Sequence, residues 1–323
     1  MRLVMMGTGL FAEPTFEALL ASRHQVVGLV TQPDRAVGEK RGSTRQTGRG
    51  MKEIALERGV PVYQPDSVNT PEGVATLREW GPDLLVVAAY GQILSKDVLE
   101  AAPGGGINVH ASLLPRYRGA APIHWAIYHG ETETGVTIIR MSTALDAGDM
   151  LAQDKIAIGP EETSGEVEAR LGPLGAKTAL GVIEQIEAGT TRGIKQDKSL
   201  VTKAPKLTKE HGLIDWSRSA AQVVCQVRAM QPWPTAYSYL HEPGAAPLRV
   251  IVWRARVSDR AAAGARAGAV IEGAGQPGLF VAAGQGSVEV LELQPSGKKR
   301  MAAADFLRGR PITSGMRFGP EQP

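Results

Sequence analysis

Residues 83–89 read DLLVVAA, an almost unbroken apolar run behind one acidic residue. A run with no polar alternation belongs to a strand covered on both faces, the habit of parallel sheets flanked by helices. Runs of the same kind recur at 2–6 (RLVMM), 25–30 (QVVGLV), 107–110 and 135–141 (GVTIIRM). Between them Glu13–Ala21, Met51–Arg58, Pro71–Trp80 and Pro122–Tyr128 are helical in pattern. Thr163–Glu187 reads as one long helix interrupted at Gly172-Pro173. Apolar strands alternating with helices predict an α/β, Rossmann-like domain with a parallel sheet over residues 1–189. Residues 33–50 are rich in Gly, Lys and Arg with little apolar content, which predicts a surface loop.

The pattern changes near Gly189. Residues 190–205 are polar and end at a proline, the composition of a linker. Beyond one helix at Ala220–Met230, short strands such as LRVIVWRARV and GSVEVLELQ lie between Gly, Ala and Pro turns. This predicts a small, OB-like β-barrel over 206–323. No internal repeat is present, and AAAGARAGA at 261–269 reads as a loop.

At 323 residues the chain suits two domains, and 43% hydrophobic with 21% charged residues is ordinary for a globular protein. No apolar run is long enough for a membrane helix, and the N-terminal MRLVMMGTGLF reads as a first strand rather than a secretory leader. The single Cys225 cannot form an internal disulfide, which fits a reducing cytoplasm. The net charge of +3 is unevenly spread. From Pro205 onward there are 15 Lys+Arg against 9 Asp+Glu, and the rest of the chain holds 21 against 24. A basic second half on an acidic first half is the pattern of a protein that meets a polyanion, although a solvated surface would give the same counts.

Gly7-Thr8-Gly9-Leu10-Phe11-Ala12 fits G-x-G-x-x-A between a strand and a helix, the fingerprint of dinucleotide binding. That reading also needs an acidic residue at the end of the second strand, where the chain has Thr31-Gln32-Pro33. A tight turn for helix packing, or the wall of another pocket, accounts for the glycines equally. Asn108 and His110 are more informative. Two residues apart on a strand, they share a face, and a central strand of an open sheet delivers that face to the ligand-binding edge. An imidazole moves protons near neutral pH, and an amide donates to an oxygen that gains charge. Asp146 and Asp149, in the loop after GVTIIRM, are the carboxylates available to orient the ring. Neither H-E-x-x-H nor any other close ligand spacing links the six histidines, so no metal is expected. G-x-S-x-G and the P-loop pattern are missing as well.

Asn108-Val109-His110-Ala111-Ser112-Leu113-Leu114-Pro115, followed by Tyr117-Arg118-Gly119-Ala120-Ala121-Pro122, resembles the signature of the 10-formyltetrahydrofolate-dependent formyltransferases. GVTIIRMSTALDAGDML at 135–151 is similar to the family's second signature. TQPDR (31–35), APKLTKEHGLIDW (204–216), QPWPTAY (231–237) and LELQPSGKKRMAAADFLRGR (291–310) resemble those members that act on initiator methionyl-tRNA. The resemblance implies formyl transfer from 10-formyltetrahydrofolate to the methionine α-amine, with Asn108, His110 and Asp146 as the catalytic set. It implies a folate pocket from Tyr90, Gly91, Gln92, Ile93 and Leu94, from Ser112, Leu113, Leu114 and Pro115, and from the 140–146 loop. For tRNA it implies Arg35, Lys40, Arg41 and Arg45, with Lys206, Lys209, Lys298, Lys299 and Arg300. Gly38-Glu39-Lys40-Arg41-Gly42 departs from the family's usual Gly-Arg-Gly-Lys-Lys, and Arg41 is the candidate for the discriminating role. A monomer without membrane association is expected. A formyltransferase for a small amine, such as an amino-sugar nucleotide, and a non-catalytic RNA-binding module remain as alternatives.

Overall fold

The computed structural model describes residues 1–34, 50–262, 264–271, 278–312 and 315–322, which fall into two compact units. The first holds 1–123, 133–158 and 166–206; the second holds 124–132, 159–165 and 207–323. The segment 190–205, expected as a linker, belongs to the first unit.

The first unit is built on one seven-stranded sheet. Its strands are β1 (Arg2–Gly7), β2 (Gln25–Val30), β3 (Val62–Tyr63), β4 (Leu84–Ala88), β5 (Gly106–His110), β7 (Glu133–Arg140) and β8 (Met150–Ala157), in the order β3-β2-β1-β4-β5-β7-β8. A short parallel pair, β6 (Arg118–Gly119) with β9 (Lys203–Ala204), lies apart from it. The sheet is parallel from β3 to β5, as the apolar runs imply. It is not parallel throughout: β5–β7 and β7–β8 are antiparallel. β7 and β8 form a hairpin, which needs no crossover helix. β8 went unseen because, as MLAQDKIA with an open face at the sheet's end, it has no apolar run.

The helices have local causes. In α3 (Pro71–Trp80) the Thr70 side chain accepts from Gly73 N–H, Pro71 opens the first turn, and Gly81 ends it in a left-handed conformation. α1 (Glu13–Ala21), α2 (Met51–Glu57) and α4 (Lys96–Leu99) complete the cover of the parallel half. α5 (Pro122–Tyr128) and α6 (Ser164–Glu187) each contribute residues to both units. α6 runs through Gly172-Pro173 without the expected break. An internal proline costs a helix roughly 3 kcal/mol. Tertiary packing offsets that here: a Cβ on Gly175 would lie 2.8 Å from a Val109 methyl, so the helix is pressed onto the back of β5.

The second unit carries an antiparallel sheet in the order β12-β13-β14-β11-β10-β16, from β10 (Tyr237–His241), β11 (Leu248–Ser258), β12 (Val270–Ile271), β13 (Leu279–Ala282), β14 (Ser287–Pro295) and β16 (Arg317–Gly319). β15 (Met301–Ala302) adds to β14, and α8 (Ala303–Gly309) follows. The two ends meet: Val270 N–H donates to Met316 O at 3.0 Å and Phe318 N–H to Gly268 O at 2.7 Å. The sheet is therefore a closed barrel. Inside, Trp216 Nε1 donates to Ser238 Oγ and Ser238 Oγ to Gly319 O, each at 3.0 Å. α7 (Ala220–Ala229), opened by a Ser219/Gln222 capping box, packs on β11.

Candidate active site

Asn108 and His110 emerge from one face of β5, as their spacing requires. β5 is flanked by β4, with Asn108 beside Val87, and by β7, with His110 beside Thr137. The carboxylate does not come from the edge where His110 lies. β7 is antiparallel to β5, so its last residue, Arg140, sits beside Ile107 at the opposite end. The hairpin loop after it folds back along β5 and delivers Asp146 there. Gly148 makes the fold-back possible, since a Cβ would lie 1.6 Å from Arg140 O.

Asp146 is the hub of the site. Its Oδ1 accepts from Asn108 Nδ2 at 3.3 Å and lies 3.7 Å from His110 Nδ1, while its Oδ2 accepts from Gly119 N–H at 2.9 Å. The other ring nitrogen of His110, Nε2, is 2.9 Å from Tyr117 O. An acceptor therefore faces each ring nitrogen. The His110 and Asp146 side chains are only 5% and 10% exposed, so charges on them interact more strongly than in water. Asp146 and Tyr117 both have left-handed backbone, with φ of 47° and 61°. Such conformations cluster at functional sites.

Tyr117 and Gly119 act through backbone atoms, and Gln196 and Thr202 through side chains bonded to backbone, so the sequence carries no signal for these roles. Gln196 Nε2 donates to Asp146 O and Gly148 O, both at 2.8 Å. Thr202 Oγ1 accepts from Tyr117 N–H at 2.8 Å.

The residues expected around a folate divide into two groups. Gly91 and Ile93 are exposed, and Leu113 and Pro115 half-buried. Tyr90 and Leu94 are instead core residues, 2% and 1% exposed, packed with Val4, Val68 and Leu85. Leu114 is buried, and Ser112 is fully buried with its hydroxyl donated to Arg116 O at 2.7 Å. Burial pushes the Tyr90 phenol up to about 12. Gln92 is spent on structure, its amide bonded to Val68 N–H and Asp66 O. Leu145, next to Asp146, is 57% exposed.

The Gly7-Thr8-Gly9 turn has a packing explanation. A Cβ on Gly7 would lie 2.8 Å from both the Ala12 methyl and Ala88 O, and Thr8 Oγ1 accepts from Gln32 N–H and pairs with Thr31 Oγ1. The turn thus ties β1 to the end of β2. Of the basic residues, Arg35, Lys40, Arg41 and Arg45 lie outside the described residues. Lys206, Lys209, Lys298 and Lys299 are exposed. Arg300 is engaged: it pairs with Glu292 and its guanidinium lies 5.0 Å from the centre of the Trp253 ring.

Two family models match the chain. Residues 1–183 match the formyl transferase model and residues 206–311 the formyl transferase C-terminal domain. Methionyl-tRNA formyltransferase of Symbiobacterium thermophilum is 44% identical over 322 residues, covering 100% of this chain and 96% of the relative. That of Geotalea daltonii is 45% identical over 320 residues, covering 99% and 98%. The chain belongs to the formyl transferase family, in the group of the methionyl-tRNA formyltransferases. Among solved structures, WlaRD, a sugar 3N-formyl transferase with dTDP and 5-N-formyl-THF, has a TM-score of 0.65 at 14% identity, over 93% of this chain and 99% of that one. HypX from Aquifex aeolicus in complex with tetrahydrofolic acid has a TM-score of 0.57 at 16% identity, over 95% and 46%. At such identities the likeness is one of fold. No described helix is long and apolar enough to cross a membrane.

Proposed function

We propose that this protein transfers a formyl group from 10-formyltetrahydrofolate to the α-amine of methionine on initiator methionyl-tRNA. The observation that carries the reading is the convergence of Asn108 and His110 on Asp146, in a chain 44% identical over its full length to a methionyl-tRNA formyltransferase. The folate donor supplies an activated formyl carbon. An exposed Leu145 beside the carboxylate, with the Gly91–Ile93 backbone, suits one flat apolar ring edged by polar atoms.

The amine nitrogen bonds to the formyl carbon, and the carbonyl oxygen gains negative charge. Asn108 Nδ2 and the His110 ring are the donors for that charge; losing one such donor typically costs about 2.7–4 kcal/mol. Asp146 orients the ring and balances an imidazolium. The proton lost by the amine passes to the folate nitrogen, relayed by His110 or by water, as the carbon–nitrogen bond to the folate breaks. The amine is a good nucleophile once neutral, so no covalent enzyme intermediate is required.

The basic second half, with Lys206, Lys209, Lys298 and Lys299 exposed, suits the tRNA phosphates. Arg41 is the proposed discriminating residue of the 34–50 segment. The test is incubation with 10-formyltetrahydrofolate and either initiator or elongator methionyl-tRNA. Formyl-methionine formed on the initiator alone is the expected result; equal formylation of both, or of neither, defeats the reading. Binding of the tRNA should also weaken steeply with salt, and a flat dependence would remove the phosphate contacts from the account.

A further inference from the structure

We infer that Gln196 is a positioning residue for Asp146; the inference rests on the formyl-transfer reading of the site. Gln196 lies in the segment expected to be a mere linker, yet its amide is fully used. Nε2 donates to Asp146 O and Gly148 O, both at 2.8 Å, and Oε1 accepts from Arg118 Nε at 3.0 Å and Nη2 at 2.7 Å. Only one amide orientation satisfies all four partners, since two are carbonyls and two are N–H donors.

The bonds fall where the loop is under strain. Asp146 has φ of 47°, in the left-handed region that residues other than glycine adopt uncommonly, Asp being among the more tolerant. Gly148 passes so close to Arg140 O that no side chain fits. Gln196 clamps the carbonyls on both sides of Ala147, the point at which the loop could relax and withdraw the carboxylate from Asn108 and His110. The same segment braces the opposite side of the ring. Thr202 Oγ1 accepts from Tyr117 N–H at 2.8 Å, and Tyr117 O is the acceptor 2.9 Å from His110 Nε2. Residues 196–202 thus hold in place both acceptors that face the imidazole. Gln196 touches none of the reacting atoms; its effect passes through the backbone of Asp146.

Two variants of the full chain separate this role from plain stability. Gln196→Ala removes every bond. Gln196→Glu keeps the size and the Arg118 contact but sets a carboxylate against two carbonyls. Both should lower kcat about 10- to 100-fold, the scale of a 1 Å misplacement, while KM for each substrate stays within about threefold. In a double-mutant cycle with Asp146→Asn, Gln196→Ala should cost little more than Asp146→Asn alone. The imidazole nitrogen resonances of His110, recorded on ligand-free protein, should move in both variants. Losses confined to KM, additive losses in the cycle, or unmoved His110 resonances would each overturn the inference. If the wild-type protein formylates no methionyl-tRNA, the reaction reading fails, and the resonances decide Gln196 on their own.

Discussion

Two turns in the first unit each rest on a tightly placed glycine and do opposite work. The turn after β1 holds Gly7-Thr8-Gly9, and the loop after β7 holds Asp146-Ala147-Gly148. Each contains a glycine where a Cβ would collide with a carbonyl oxygen, Ala88 O for Gly7 and Arg140 O for Gly148. At Gly7 the close approach seats the chain against Ala12 and β4, and Thr8 spends its hydroxyl on β2. At Gly148 the close approach folds a hairpin loop back over β5, and the outcome is a carboxylate beside an imidazole. A tight glycine says that two backbones meet; the polar groups placed beside it say whether the meeting is structural or chemical.

The largest effect expected is for His110→Ala, which should cut kcat/KM by about 10³-fold or more, with tRNA affinity within a few-fold of wild type. A variant with near-normal turnover would place the chemistry elsewhere. Gly148→Ala should follow at about 10²-fold, because the loop must shift by an ångström or more. If steady-state kinetics find it harmless, the two glycines are equivalent and the comparison collapses.

Acid sensitivity of the fold has to be separated from acid sensitivity of the site. Burial pushes the half-buried His124 imidazole down to about 4, from 6.5. Below pH 6.5 the unfolded chain takes up a proton there that the folded chain refuses until about pH 4, so stability falls across that window. At pH 5 this costs about 2 kcal/mol relative to neutral pH. Burial pushes the Glu168 carboxyl up, so its folded form binds a proton first and gains stability as pH falls. Urea titrations at pH 7 and pH 5 should show His124→Gln losing less stability than wild type; equal losses would acquit His124. The smallest effect is for Gly7→Ala. It should lower stability by about 1–2 kcal/mol and leave kcat of the folded fraction unchanged. A drop in kcat there would give the β1 turn a chemical role after all.

Much of this was legible in the sequence, for identifiable reasons. β1, β2, β4 and β5 announced themselves because both faces are covered and most positions are apolar; the two-residue β3 did not. Asn108 and His110 were paired by the two-residue strand period, and Asp146 by its motif. β8 stayed hidden because an open-faced strand at the end of a sheet keeps polar residues. Pro173 suggested a break that the packing of α6 on Val109 overrides. Tyr90 and Leu94 resembled pocket residues in a motif, but the same apolar character sends them into the core. Gln196 was invisible because it reaches the site through two carbonyl oxygens, which every residue possesses.

The closure of the second unit's sheet has one more implication. Where Val270 N–H and Phe318 N–H bond across the seam, β12 and β16 occupy each other's outer margin, so another polypeptide cannot add a strand there. A partner gripped at that seam must be held by what projects from the staves, so selectivity there is written in side chains and can be rewritten one position at a time.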